Sequence, residues 1–278
     1  MNRTKPFLKW AGSKFRCLDT ILTALPKASR LIEPFTGSGA IFVNSSYTHY
    51  LLAEQNNDLV TLFHCLQQEG LQFIDYCAQL FSSDNNCAER YYQLREEFNQ
   101  CKQPRKRASL FLYLNRHGYN GLCRYNQRGI YNVPFGRYIK PYFPRHEMLF
   151  FHNKCQQATF LQGDFRKTFS MAEAGDIIYC DPPYVPLSAS ANFSSYTDKV
   201  FSEKDQIELA QLAMLSANKG ITVIISNHDT PFTRQHYQQG DIISFPVKRY
   251  ISCHALKRHP AQELVAVFQK KTYTLDEV

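Results

Sequence analysis

The stretch Arg30-Leu31-Ile32-Glu33-Pro34-Phe35, continued by Thr36-Gly37-Ser38-Gly39 and Ala40-Ile41-Phe42-Val43, reads as a short buried strand, a glycine turn and the opening of a helix. Glycines at such a junction let the backbone come close to a ligand and aim N–H groups at it. A tight turn with no ligand uses the same residues, so the stretch defines a strand, loop, helix unit before it defines what that unit holds. The neighbouring chain sharpens it. Tyr50-Leu51-Leu52-Ala53-Glu54 is a second strand, and it ends on an acid about 20 residues after Pro34, the spacing at which a carboxylate reaches ribose hydroxyls. The dinucleotide fingerprint is not met, because Phe42 stands where the third glycine belongs and no basic residue nearby awaits a pyrophosphate. A nucleoside is expected here rather than a nicotinamide dinucleotide.

Further along the chain, strands and helices keep alternating. Asn57-Asp58 can cap a helix running through Gln67. Residues 71–118 carry helical patterns throughout, and residues 119–145 turn irregular, dense in Asn, Gly, Tyr, Pro and Arg, which suggests loops and a hairpin. Strands resume at Thr159 to Gln162, Asp176 to Cys180 and Ile221 to Ile225. Between the last two, Ser202-Glu203-Lys204-Asp205 is a capping sequence for a helix reaching Asn218, with Gly220 ending it. Two terminal strands, Ile242 to Ile251 and Glu263 to Phe268, are close enough to pair antiparallel. The fold class expected is α/β: a doubly wound, mostly parallel sheet with helices on both faces. Residues 1–56 and 145–278 would form the catalytic domain, and residues 57–144 an inserted helical and hairpin subdomain.

Composition bounds the setting. A 278-residue chain that is 44% hydrophobic can bury one α/β core with one embellishment, and its apolar runs are a few residues long, far short of a membrane span. Met1 to Pro6 has no apolar stretch of the kind that directs export. Nine cysteines follow no metal spacing, and an odd, scattered set suits reduced thiols. A soluble cytoplasmic protein without metal or membrane partners is expected. The charge is local: Lys102, Arg105, Lys106, Arg107, Arg116, Arg124, Arg128, Arg137, Lys140 and Arg145 fall in a stretch with no Asp or Glu. Its +10 against +8 for the whole chain leaves the remainder near −2. A polyanion is the natural partner. Tyr113, Tyr119, Tyr125, Tyr131, Tyr138 and Tyr142 interleave with these cations, and a stacking aromatic is worth ~1–3 kcal/mol per base.

Asp181-Pro182-Pro183-Tyr184, directly after the strand ending at Cys180, is the most specific feature. Two prolines can simply end a strand while the tyrosine packs. The chemical alternative is that they lock an acid and an aromatic at the carboxyl end of a central strand, where open α/β sheets bind ligands. Such a group can grip a planar base bearing an amino group. An aromatic amine is a poor nucleophile, since its lone pair is delocalised into the ring, yet it must attack the electron-poor methyl of a sulfonium. Hydrogen bonds from both amino hydrogens, to the Asp181 carboxylate and the Pro182 carbonyl, favour the pyramidal, nucleophilic nitrogen, and Tyr184 stacks on the base. Neither a covalent intermediate nor a metal is required. A base inside a duplex cannot reach such a pocket and must be swung out, at a cost of a few kcal/mol.

Together Phe7-Leu8-Lys9-Trp10-Ala11-Gly12-Ser13-Lys14, Glu33 to Gly39, Asn115-Arg116-His117-Gly118-Tyr119-Asn120-Gly121-Leu122, Asn132-Val133-Pro134-Phe135-Gly136-Arg137-Tyr138 and the Asp181 to Tyr184 motif resemble the Dam family of DNA adenine-N6 methyltransferases. The resemblance covers nearly the whole chain in the family's order: cofactor motif, recognition insertion, catalytic motif. It implies a Rossmann-like methyltransferase, S-adenosylmethionine as cofactor, and methyl transfer to adenine N6 in double-stranded DNA at GATC, with base flipping. A monomer associated with the nucleoid is expected. It also implies roles by position. Trp10, Lys14, Phe35, Glu54, Asp164 and Asp181, with Gly37, Gly39 and Phe165, would line the cofactor site. Lys9, Tyr119, Asn120, Leu122, Arg124, Pro134, Arg137 and Tyr138 would contact DNA, Arg124 as a guanine reader and Tyr119 as the wedge. Asp181, Pro182, Pro183 and Tyr184 would be catalytic.

Three positions depart from the family pattern. Ser13 replaces a second glycine, Glu54 stands where Asp is commoner, and Ser252 to Arg258 lacks the glycines of the matching loop. Asn227-His228-Asp229, after a strand, is taken as structural. Two other readings stay open: a DNA-binding protein that has lost catalysis, and the same chemistry on cytosine N4 or an RNA base.

Overall fold

In the computed structural model, which describes residues 3–185, 201–247 and 261–270, the decisive stretch forms β1 (Arg30–Glu33), a turn and α2 (Ala40–Asn44), after a short α1 (Leu18–Ala24). Then follow β2 (His49–Glu54), α3 (Asn57–Glu69), α4 (Leu71–Ala78), α5 (Ala88–Gln100), α6 (Pro104–His117), α7 (Arg145–Cys155) and β3 (Ala158–Gln162). The second half runs α8 (Phe165–Ser170), β4 (Ile177–Cys180), α9 (Glu203–Asn218), β5 (Thr222–His228), α10 (Pro231–Tyr237), β6 (Asp241–Val247) and β7 (Ala261–Phe268).

The seven strands lie in the order β3-β2-β1-β4-β5-β7-β6. β3, β2, β1, β4 and β5 are parallel, while β7 runs antiparallel to both β5 and β6. The expected terminal hairpin is therefore present; its outer strand is described to Val247, and the remainder of the expected range to Ile251 lies outside the described residues. So do Ser252 to Arg258 and Cys253.

Neighbours in the central strands point to opposite faces, and both faces are dry. Leu31, Leu52, Ile177, Tyr179 and Ile224 pack into one core with α1–α7, whereas Ile32, Leu51, Ile178, Cys180 and Ile225 pack into the other with α8 and α9. Sequence order reverses between β1 and β4, so their carboxyl ends flank the switch point where an open sheet leaves a crevice. The glycine turn leaves β1 there, and the Asp181 motif leaves β4 beside it.

Ser202 caps α9 as expected: its hydroxyl accepts from the Asp205 N–H, and the Asp205 carboxylate accepts from the Ser202 N–H. One cap is displaced by a residue. Asn56, in extended backbone, accepts from the N–H groups of Asp58 and Leu59, and Asn57 is already helical. An Asn at either position reads alike in sequence, and only the turn out of β2 decides between them.

α3 packs on β2, β3 and α6, tying the sheet to the helices between β2 and β3. In α6, every residue from Ala108 to His117 is buried. After it the chain makes a short turn over Tyr119–Gly121 and a loop excursion closed by the bridges Gly118↔Phe135 and Tyr125↔Tyr131. No described helix is long and apolar enough to cross a membrane.

Candidate active site and nucleic-acid interface

At the carboxyl end of β1, Gly37 and Gly39 take positive φ values of 50° and 71°. At Gly37 there is a second constraint, because a Cβ would stand 3.0 Å from the Trp10 ring. The turn is thus pressed against Trp10 at a place only glycine can occupy. The Glu54 carboxylate, at the end of the adjacent β2, spans the floor: Oε2 accepts from the Gly37 N–H at 3.1 Å and Oε1 from the Asn56 N–H at 3.0 Å. Burial raises its pKa, and these N–H groups oppose the shift.

On the other side of the turn, Phe35 stacks on Phe165 at 5.7 Å, and Phe201 meets both rings at 5.6 Å. Asp164 caps α8 by accepting from the Arg166 N–H and receives Gln55 Nε2 at 3.2 Å. Arg166 reaches back to Asp164 and across to Asp205 and Glu208, clipping the starts of α8 and α9 together.

Beyond β4, Asp181 Oδ1 accepts from Ser226 Oγ at 3.1 Å and pairs with Lys14 Nζ at 2.9 Å. Burial raises the Asp181 pKa, and the Lys14 ammonium is the main influence pulling it back. The same ammonium donates to the Gly12 carbonyl at 2.8 Å and sits 4.3 Å from the Tyr184 ring centre. The Tyr184 hydroxyl donates to Glu263 Oε2 at 3.1 Å, and the His228 ring meets the Tyr184 ring edge-on at 4.7 Å. Gln206 Nε2 donates to the Pro183 carbonyl at 2.7 Å, and Asn227 Oδ1 accepts from the Val185 N–H at 3.2 Å. The motif is fastened from three sides. Among the described residues no group of three or more His, Cys, Asp or Glu is gathered as a metal site would need.

Lys9 stands where this site meets the insertion. Its N–H and carbonyl form a two-point pair with the buried Asn115 carboxamide. Its stem lies so close to Gly121 that a Cβ there would overlap it at 2.3 Å, and its ammonium sits 3.9 Å from the Tyr138 ring centre. Burial, then the nearby Arg116 charge, lowers the Lys9 pKa to about 8. The remaining expected DNA contacts lie on the turn and loops that follow α6. Tyr119 is 51% exposed and donates its N–H to the Pro134 carbonyl, while Asn120 and Arg137 take left-handed backbone with φ of 52° and 54°. Leu122 is partly buried against the core. Arg124 is exposed, with Nε donating to Asn132 Oδ1 at 2.7 Å.

Two of the tyrosines counted as potential stacking partners are core residues instead. Tyr113 is 0% and Tyr131 1% exposed, their hydroxyls donating to the Asn85 and Leu122 carbonyls. Tyr125 is turned inward, its hydroxyl on Asp58. Helical and hairpin spacing place these rings on inner faces, which interleaving with arginines does not reveal.

Ser226, Gln206, Glu263 and Phe201 are absent from the expected site. Ser226 comes beside Asp181 through strand register: Cys180 pairs with Ile225, so Asp181 leaves β4 next to Ser226 inside β5. Glu263 had no signal short of the β5 and β7 pairing that sets it opposite His228.

A glycine turn backed by a buried acid, next to an acid and aromatic held rigidly at the switch point, is the arrangement expected of an α/β amino-group methyltransferase. The chain belongs to the D12 class of N6 adenine-specific DNA methyltransferases, whose family model matches residues 10–251. It is 45% identical over 269 residues to the DNA adenine methylase of Escherichia coli strain K12, covering 97% of each chain. With the DNA adenine methylase of Serratia marcescens it shares 47% identity over 270 residues, 97% of this chain and 100% of that one. With that of Vibrio cholerae serotype O1 the identity is 44%, over 96% and 97%. It is accordingly an enzyme acting on DNA.

Proposed function

We propose that the enzyme transfers the methyl group of S-adenosylmethionine to adenine N6 in double-stranded DNA, at GATC, with the target base turned out of the helix. The observation that carries this reading is the placement of Asp181 and Tyr184 next to the Gly37–Gly39 turn at the switch point. The turn, the anchored Glu54 carboxylate and the Phe35–Phe165 pair suit an adenosine bearing a ribose and a flat base, with Trp10, Lys14, Asp164 and Asp181 completing the pocket. The donor supplies an electrophilic methyl on a positively charged sulfur.

Asp181 and the Pro182 carbonyl accept the two amino hydrogens of the adenine, localising the nitrogen lone pair, and Tyr184 supports the ring. As the nitrogen–carbon bond forms and the carbon–sulfur bond breaks, the nitrogen is left with one proton too many, and the Asp181 carboxylate is the acceptor for it. Lys14 opposes the upward pKa shift that burial imposes on that carboxylate and so favours its charged form. Residues 57–144 serve as the target-recognition unit, with Arg124 on a guanine edge, Tyr119 as the wedge, and Lys9, Asn120, Leu122, Pro134, Arg137 and Tyr138 completing the surface.

Purified enzyme incubated with methyl-labelled S-adenosylmethionine should label a GATC duplex and not a GATC-free one. No label on either duplex would overturn the reading, and equal label on both would remove the site preference.

A further inference from the structure

Arg124 lies on the loop between the short turn after α6 and the strand-like return at Tyr131, and the residues on both sides of it are tied to the same place. Asn56 Nδ2, at the cap of α3, donates to Cys123 Sγ at 3.5 Å. The Tyr125 hydroxyl donates to Asp58 Oδ2 at 2.6 Å. Asp58 is buried in the first turn of α3 and is itself fixed by Arg107, whose Nε and Nη2 donate to it at 2.5 and 3.0 Å. Across the loop, the Tyr125 ring packs edge-on against the buried Tyr131 at 5.5 Å, and the Tyr131 N–H donates to Asn99 Oδ1 at 2.9 Å. Between these two anchored neighbours only the Arg124 side chain turns outward, with Asn132 steadying its guanidinium.

We propose that Tyr125, through its hydroxyl on Asp58, is a positioning residue for sequence recognition. It sets the height and angle of the Arg124 backbone so that a planar guanidinium meets a guanine edge with two bonds at once. This rests on the reading of Arg124 as the guanine contact. A paired contact of that kind discriminates only when its donors are held to within a fraction of an ångström, about 0.5 Å. Loop backbone does not provide such precision unless something rigid holds it. Here α3, wedged between the sheet and α6, is the rigid element, and the Tyr125–Asp58 bond is its link to the reader.

Tyr125→Phe keeps the ring and its packing on Tyr131 and leaves Asp58 with both Arg107 bonds, so the fold is retained. The measurement is kcat/KM for a GATC duplex and for a duplex with one G·C pair of the site changed to A·T, alongside the thermal midpoint. Tyr125→Phe should lower the ratio of the two on the order of tenfold, by loss of one hydrogen bond to a charged group, mainly by lowering transfer to the GATC duplex. Arg124→Ala should lower it further. A fall of both rates in proportion, with the ratio preserved, would assign Tyr125 to stability alone and overturn the proposal, as would no change. If Arg124→Ala also leaves the ratio untouched, the reading of Arg124 fails and takes the anchor with it. A ratio altered by Arg124→Ala but not by Tyr125→Phe removes the anchor only.

Discussion

The proposed mechanism asks two opposed things of Asp181: to be buried enough that its hydrogen bonds to an amino group are strong, and to stay ionised so that it can accept them. Burial pushes its pKa up, and the Lys14 ammonium at 2.9 Å works against that shift. Replacing the acceptor, Asp181→Ala, should cost on the order of 10²–10³ in single-turnover methyl transfer while duplex affinity measured by anisotropy holds. The pH dependence follows from the direction of the shift. In the proposed mechanism the ionised form is the active one, and its pKa is raised, so the rate should fall as pH drops through a value above the ordinary ~3.9 of an aspartate. Lys14→Gln removes the opposing charge, so the acid limb should move to still higher pH. Rates taken across the acid range with S-adenosylmethionine saturating will show this. A limb that does not move in Lys14→Gln would mean that the ammonium leaves Asp181 untouched.

At the level of elements, the strand, turn, helix unit from Arg30 to Asn44 is the proposed cofactor shelf, and its turn is left-handed and pressed onto Trp10. Gly37→Ala would place a methyl 3.0 Å from the indole on a backbone with φ of 50°. The left-handed backbone alone costs an alanine roughly 1–2 kcal/mol. Either the turn or the ring must shift. Affinity for S-adenosylmethionine in calorimetry should drop by about tenfold or more, whereas an unchanged affinity would separate the turn from the cofactor. This unit was legible in the sequence because chain direction, glycine spacing and the acid at Glu54 all lie within one short segment. The Ser202 capping box was legible for the same reason. What depends on distant strands coming together was not: Glu263 reaches Tyr184 only because β7 inserts antiparallel beside β5. The inward Tyr113 and Tyr131 belong to the same class, since a ring's face is set by which helix packs behind it.

Across the molecule, the count of positive charge in residues 102–145 overstates the field that a nucleic acid meets. Acids from neighbouring parts of the chain fold back onto the basic stretch: Glu69 pairs with Arg105, Glu97 with Lys106, Asp58 with Arg107 and Asp75 with Arg145. Arg116 is buried and donates to the Tyr142 and Phe7 carbonyls. Half of the ten cations are therefore engaged within the fold. Lys102, Arg128, Arg137 and Lys140 have no acid partner among the described residues, and Arg124 is held by Asn132 alone. A cation already paired releases no counterion when a phosphate arrives unless it first gives up its partner, whereas an unpaired one releases about one. Lys140→Ala should accordingly weaken binding to all duplexes alike and reduce the slope of log affinity against log salt by about 1. Arg105→Ala, equal in formal charge, should leave the slope where it was. Titrations of both variants with one duplex over a range of salt concentrations compare them directly. Equal losses of slope would mean that the pairs seen in the free protein open on DNA, and that formal charge rather than unpaired charge sets the attraction.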